Sequence, residues 1–196
     1  MGRTPSLSEG KSLTEPGISL IHETDADRVW STLIELYAEV WSGRLHEAHY
    51  SVERYGERLA RHGAEEGWEA VIAYREAEPI GYVYLNRLRA SSSWWSRTTP
   101  RPTAAQMNAS TIVLREGMLR RPWRSKGIAR RVHDEILSGR REQQVTLLVN
   151  PGAGNGKLKA LYESWGYTFI GAQQPAVDGP QLAALLRPTR LPSTPG

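Results

Sequence analysis

Cysteine is absent from this 196-residue chain, which removes disulfide bonds, a thiolate nucleophile and any cysteine-based metal site. Phenylalanine occurs once, against seven tryptophans and eight tyrosines, so the aromatic bulk carries polar tips that suit a cleft as well as a core. Lysine is scarce too: Lys11, Lys126, Lys157 and Lys159 are the only ones. The net charge of +4 and the pI near 9.5 therefore come almost wholly from arginine. No stretch approaches the roughly 20 apolar residues of a membrane span, and no apolar leader opens the chain. The expected location is the cytoplasm, with no membrane partner. Met1 to Ser6 fits the loose myristoylation pattern, but no second membrane signal stands beside it. The five histidines, His22, His46, His49, His62 and His133, are dispersed, show no His-Glu-x-x-His arrangement, and predict no metal site.

At 39% hydrophobic residues the chain is long enough for one domain with a sizeable core and short for two. Residues 1–16, polar with Pro and Gly, read as a disordered extension, 17–188 as the folded domain, and 189–196 as a flexible tail. Ile18 to His22 reads as a strand. Val29, Leu33, Leu36 and Val40 form the buried face of a helix that starts at Thr24 to Asp27 and runs to Trp41. A second helix covers about Val52 to Arg61. Two antiparallel strands, Ala70 to Tyr74 and Ile80 to Leu85, follow. Residues 89–108 read as one long loop, a length usually reserved for functional segments. Tyr167 to Gly171 and Gln181 to Arg187 are the last strands, joined by a loop.

What the middle of the chain does contain is more specific. Between the apolar run Thr111 to Leu114 and the amphipathic run Ile128 to Leu137 lies a basic turn, Arg120-Arg121-Pro122-Trp123-Arg124-Ser125-Lys126-Gly127-Ile128-Ala129-Arg130-Arg131. A strand that enters a helix through such a turn aims unpaired backbone N–H groups and the positive end of the helix dipole at one spot, which is how chains hold pyrophosphates. The spacing is neither the P-loop nor the Gly-x-Gly-x-x-Gly fingerprint. The basic residues concentrate here, where an anionic cofactor would need them, and no nucleic-acid-binding motif accompanies them. Downstream, Val145 to Val149 reads as a buried strand, Pro151 to Gly154 as a loop, and Asn155 as the N-cap of a helix. Leu158, Leu161, Tyr162 and Trp165 fall on one face of that helix, and Gly166 ends it.

The pattern Arg124-x-x-Gly127-x-Ala129 resembles motif A of the GNAT superfamily of N-acetyltransferases. Asn155-x6-Tyr162-x3-Gly166-Tyr167 is similar to the signature of that family's last helix. The resemblance spans about residues 18 to 187. It implies an α/β fold, a single domain with a mixed, twisted sheet of about seven strands flanked by about four helices. It implies acetyl-coenzyme A as co-substrate, no metal, and direct acetyl transfer to a primary amine of a small molecule or peptide. Nucleic acid is not an expected partner, and a homodimer is left open. The competing reading is a coenzyme A-binding sensor or a basic nucleic-acid-binding protein on the same fold; retention of Glu116, Asn155 and Tyr162 beside the turn disfavours it.

The resemblance assigns Arg124, Ser125, Lys126, Gly127, Ile128, Ala129, Arg130 and Asn155 to the cofactor, with the main chain of Met118 and Leu119 pairing the pantetheine arm like an added strand. It makes Tyr162 the general acid for the departing thiol and Glu116 the candidate base. Tyr162 also fits a core position, and an alternating strand could set Glu116 on a solvated face. Members that place a glutamate late in the fifth strand have no counterpart here, since Asn150 cannot act as a base. Tyr37, Trp41, Trp94 and Trp95 are cleft candidates by location, with core packing the competing role of Tyr37.

Overall fold

A computed structural model describes residues 17–190; the expected N-terminal extension, 1–16, and most of the expected tail, 191–196, lie outside them. Seven strands form one sheet in the order β1-β2-β3-β4-β5-β7-β6. They are β1 (Ile18–Glu23), β2 (Glu69–Arg75), β3 (Glu78–Leu88), β4 (Thr111–Leu119), β5 (Gln144–Val149), β6 (Thr168–Gln173) and β7 (Leu182–Pro188). All neighbours are antiparallel except β4 and β5. The helices are α1 (Ala26–Val40), α2 (Val52–Gly63), α3 (Ser93–Ser96), α4 (Ala104–Asn108), α5 (Ile128–Ser138) and α6 (Lys157–Ser164).

Burial explains the layering. On one face α5 sets Ile128, Val132 and Ile136 against Val83, Ile112 and Val145. On the other, α1 and α2 press Leu33, Leu36 and Leu59, all fully buried, onto Ala70, Ile72 and Tyr84. Each such leucine contributes about 2–3 kcal/mol through lost apolar hydration. Asp25 caps α1 and Ser51 caps α2 by accepting main-chain N–H bonds, which ends each preceding segment cleanly.

Three expectations need correction. The segment 89–108 is not one loop: it folds into α3 and α4. Ser92 accepts from the Trp94 amide, and Thr103 with Gln106 forms a capping box. Helices of four and five residues are too short to show a 3.6-residue period. Asn155 is not the N-cap of α6, because it adopts φ 56° and the cap is Gly156 at φ 84°. Leu158 and Leu161 are 40% and 39% exposed, so α6 buries a narrower face than its spacing promised.

The sheet is not continuous across its centre. From Thr111 to Leu114, β4 pairs with β5 in parallel register. The antiparallel register with β3 then shifts, since Leu85 faces Leu114 while Tyr84 faces Glu116, leaving Arg115 as the extra residue of a β-bulge. Beyond it β4 stays on β3 as far as Leu119 and β5 stays on β7 as far as Val149. The two parallel strands part, and a splay opens between them.

Two buried histidines make the fold acid-sensitive. His62 bonds Tyr84 and His133 bonds Tyr167. Burial, then neighbouring arginines, pushes His62 down to about 3. Burial, outweighing the Asp134 hydrogen bond, pushes His133 down to about 4. A depressed histidine pKa gives stability that is present above the unfolded value near 6.5 and lost below it. The partly exposed His22, raised by Glu69 and Glu135 despite its burial, acts in the opposite sense and more weakly. Between pH 6.5 and 5.5, thermal melts should therefore show the wild type losing stability relative to His133→Gln. Equal pH slopes for variant and wild type would contradict the assignment.

Candidate active site

The bulge decides where Glu116 points. Before it, Ile112 and Leu114 face the α5 core. After it, Met118 belongs to the α1–α2 core, so residues of the same parity change face. Glu116 accordingly projects among Tyr37, Tyr55, Tyr82 and Tyr84, all of which feel its charge. The bulged Arg115 is tied down separately. Its Nε donates to Asn86 Oδ1 at 2.9 Å and its Nη2 to Glu65 at 2.7 Å. Asn86, fully buried, donates in turn to His62 O and Glu65.

Burial lifts the Glu116 carboxyl to about 7, with the charge of Arg58 pulling the other way. Tyr162, on α6 at the far wall of the splay, is pushed up to about 12 by burial and then by the Glu116 charge. The two groups named as acid and base thus share one electrostatic environment. Trp165 and Tyr167 hold the Tyr162 ring edge-on at 5.3 and 5.6 Å between centroids.

The basic turn lies at the same end of β4. A 3₁₀ turn, Arg121–Trp123, leads to Arg124, whose Nε donates to Leu119 O at 2.9 Å. Ser125 and Gly127 both take positive φ, 62° and 76°, and no side chain caps α5. The first amides of α5, from Ile128, Ala129 and Arg130, have no partner within the helix. A Cβ added to Gly127 would meet nothing within 4 Å. Open space beside amides that lack a helical partner leaves room for an anion. Around it, Lys126 lies 5.0 Å over Trp123, and Arg130 bonds Asp134 at 2.6 Å. The residues present fit a pyrophosphate. Asn155 sits on the exposed turn between β5 and α6, at the splay end of the sheet.

The structure separates the aromatic candidates. Trp94 and Trp95 are 6% and 2% exposed and pack in a core with Leu88, Val113 and Leu186, so neither lines a cleft. Tyr37 is buried and stacks on Tyr55 at 3.9 Å, while its hydroxyl donates to Tyr50 O. Trp41 is half-buried against Tyr50. Sequence reasoning named Tyr37 but missed Arg58 of α2 and Tyr55, Tyr82 and Tyr84 around Glu116. The signal available was the i, i+3 spacing of Tyr55 and Arg58 on the buried face of α2. Two open hollows, one at Arg141 to Gln143 and one at Glu65, Arg87 and Ser91, lie toward the opposite end of β4 and hold none of the candidate residues. Among the described residues no group of His, Asp and Glu is arranged to hold a metal ion, and no helix is long and apolar enough to cross a membrane.

Comparison with known proteins points one way. A family model described as an acetyltransferase (GNAT) domain matches residues 9–121. No curated protein matches the chain. An acetyltransferase from Thermus thermophilus superposes with a TM-score of 0.59 at 15% identity, covering 88% of this chain and 97% of that one. The ribosomal-protein-S18-alanine N-acetyltransferase of Escherichia coli gives 0.57 at 12% identity, covering 90% and 96%. The PaiA N-acetyltransferase of Thermoplasma acidophilum, solved in complex with coenzyme A, gives 0.54 at 14% identity, covering 87% and 99%. At these identities the likeness is one of fold.

A half-buried carboxyl raised to about 7 carries a stability signature. Its contribution is fully present below the unfolded value near 4.5 and lost as pH rises through 7. Glu116→Gln should therefore melt a few degrees above the wild type at pH 8, about 1–3 kcal/mol of stability. The gap should close by pH 5. Superimposable melting curves at both pH values would show that Glu116 is solvated.

Proposed function

The chain belongs to the GNAT family of acetyltransferases, and from that premise we propose that it transfers the acetyl group of acetyl-coenzyme A directly to a primary amine of a small molecule or peptide. The observation that carries this reading is the coupling of Glu116 and Tyr162 across the splay: the carboxyl is raised toward neutral pH, as a base requires, and its charge acts on the phenol. Acetyl-coenzyme A supplies an activated thioester. The chain's own residues then have three tasks.

The first is to bind. The amides of Ile128, Ala129 and Arg130, the open space at Gly127, and the charges of Arg124, Lys126 and Arg130 receive the pyrophosphate, with Ser125 shaping the turn. The free edge of β4 at Gly117, Met118 and Leu119 pairs the pantetheine amides as an added strand would, and Asn155 closes the opposite side.

The second task is to neutralise the amine. An amine with pKa about 10.4 is protonated at pH 7. An ordinary carboxylate is some six units too weak to take that proton, and lifting Glu116 to about 7 recovers about 3 kcal/mol of the mismatch at ~1.36 kcal/mol per unit. Glu116 acts directly or through one water.

The third task is to relieve the thiolate. With Glu116 ionised, Tyr162 is a poor acid. Once Glu116 has taken the proton of the amine, burial still raises Tyr162 but the added contribution of the Glu116 charge is gone. Proton uptake at one group therefore eases donation at the other, an order that suits attack before departure.

Three measurements check this. Acetyl-coenzyme A at 100 times Kd should stabilise the protein by about 2.7 kcal/mol, and Gly127→Val should abolish the shift; no shift in the wild type would exclude cofactor binding. The kcat/KM of the wild type should rise with pH through about 7, where Glu116 ionises. Glu116→Gln should lose that inflection and follow the amine's own ionisation. Tyr162→Phe should lower kcat about tenfold to a thousandfold with cofactor affinity nearly intact. An unchanged profile in Glu116→Gln, or wild-type kcat in Tyr162→Phe, would remove that residue from the chemistry.

A further inference from the structure

On the α1–α2 side of Glu116 the charges are unevenly settled. Arg44 is paired with Glu47 at 2.6 Å, Arg54 with Asp178 at 3.7 Å, and Arg115 with Glu65 at 2.7 Å. Arg58 is not. Its guanidinium makes three long contacts, all with neutral acceptors: His49 O, Arg54 O and the Tyr37 hydroxyl, each at 3.4 Å. Among the described residues no carboxylate lies within 4.0 Å of it. The side chain is half-buried, flanked by the stacked rings of Tyr37 and Tyr55 at 5.8 and 5.6 Å. A guanidinium is charged at every accessible pH and is best satisfied by two parallel bonds to a carboxylate. Here the fork is held in place and that partner is missing.

Position supplies the second half. The Glu116 charge acts on Tyr162 on the cofactor side and on Arg58 on the other. An amine held at Glu116 with its nitrogen toward the thioester has the rest of its molecule on the Arg58 side. The loop between β6 and β7 reaches over this side. Asp178 of that loop pairs with Arg54, and Gly179 packs so closely on His49 that a Cβ there would come within 2.7 Å of the ring.

Resting on the amine-acetylation reading above, we propose that the acceptor carries a carboxylate as well as its amine: Arg58 binds the carboxylate while Glu116 receives the amine. The substrate class is an amino carboxylate, such as a free amino acid or an ω-amino acid. A single guanidinium without a carboxylate matches a monoanion, whereas a phosphate dianion would call for a second cation at the site; Arg44, Arg54 and Arg115 are already paired, and Arg61, one turn further along α2, is exposed. A polyamine or another polycation would place a second positive charge against Arg58 and is disfavoured.

The test uses the intact protein with a series of α- and ω-amino acids of rising length, each beside its own carboxamide, and with spermidine, reading free coenzyme A. The expected result is a preference for the best carboxylate over its carboxamide of about tenfold to a hundredfold in kcat/KM, the range set by a hydrogen-bonded charge, and expressed mainly in KM. Arg58→Gln should erase the preference while keeping the acetyl-coenzyme A melting shift, and Arg58→Lys should restore part of it. Carboxamides or spermidine turned over as well as the carboxylates, or a preference unchanged in Arg58→Gln, would overturn the inference and leave the acetyltransferase reading standing. If Arg58→Gln fails to fold, the comparison of carboxylate with carboxamide in the wild type decides alone. Release of coenzyme A with none of these amines would instead count against the acetyltransferase reading and take this inference with it.

Discussion

One inserted residue controls the centre of this protein. Arg115 enters β4 as a bulge, and three consequences follow from the mismatch it creates with β3. The parallel pairing with β5 stops at Leu114, so a gap opens in what would otherwise be a closed sheet. The side chains beyond it change face, which moves Glu116 from the α5 core to the tyrosines under α1 and α2. The outer edge of β4 is freed as far as Leu119, where the basic turn begins. The bulge is held by side chains as well as by register: Asn86 and Glu65 receive the Arg115 guanidinium. Because Asn86 is fully buried and bonded on both its oxygen and its nitrogen, moving Arg115 would leave polar groups without partners in the core.

The electrostatics of the gap follow from that placement. A carboxyl turned into a layer of tyrosines loses water and gains no ion pair, since Arg58, the guanidinium whose charge it feels, stays beyond salt-bridge distance. Folding tolerates the cost elsewhere, through the leucine and valine packing on both sheet faces. Stability is given up locally to keep a carboxyl that changes protonation near neutral pH. Tyr162, packed against the α5-side core, is raised by its own burial and then by the Glu116 charge, so the acid responds to the state of the base.

Much of this architecture is legible in the sequence. The succession of strands and helices along the chain, the basic turn at Gly127, and the helix ended by Gly166 are written in short-range patterns of apolar period and turn chemistry, which depend on neighbours in the chain. The bulge leaves no such trace: Thr111 to Leu119 reads as one strand, and only pairing with β3 reveals the extra residue. Trp94 and Trp95 look like cleft residues because α3 is too short to announce itself, yet the ladder beneath them makes them core. Asn155 lost the cap to Gly156 because three successive residues there, Gly154, Asn155 and Gly156, all take positive φ, a conformation that composition suggests without fixing which residue ends it. Arg58 was overlooked because an arginine on a helix reads as solvated; its isolation from carboxylates exists only in three dimensions.

The account rests on the splay and the basic turn forming a single acetyl-coenzyme A site with Glu116 at its mouth. Amide NMR during titration with acetyl-coenzyme A tests this most directly. Shifts should concentrate at Gly117 to Leu119 along the free edge of β4, at Ser125 to Arg130 around the cradle, and at Asn155 and Tyr162 on the opposite wall, with the remote ends of β4 and β5 unmoved. Shifts centred instead on the hollow at Arg141 to Gln143, or spread evenly over exposed arginines, would contradict it.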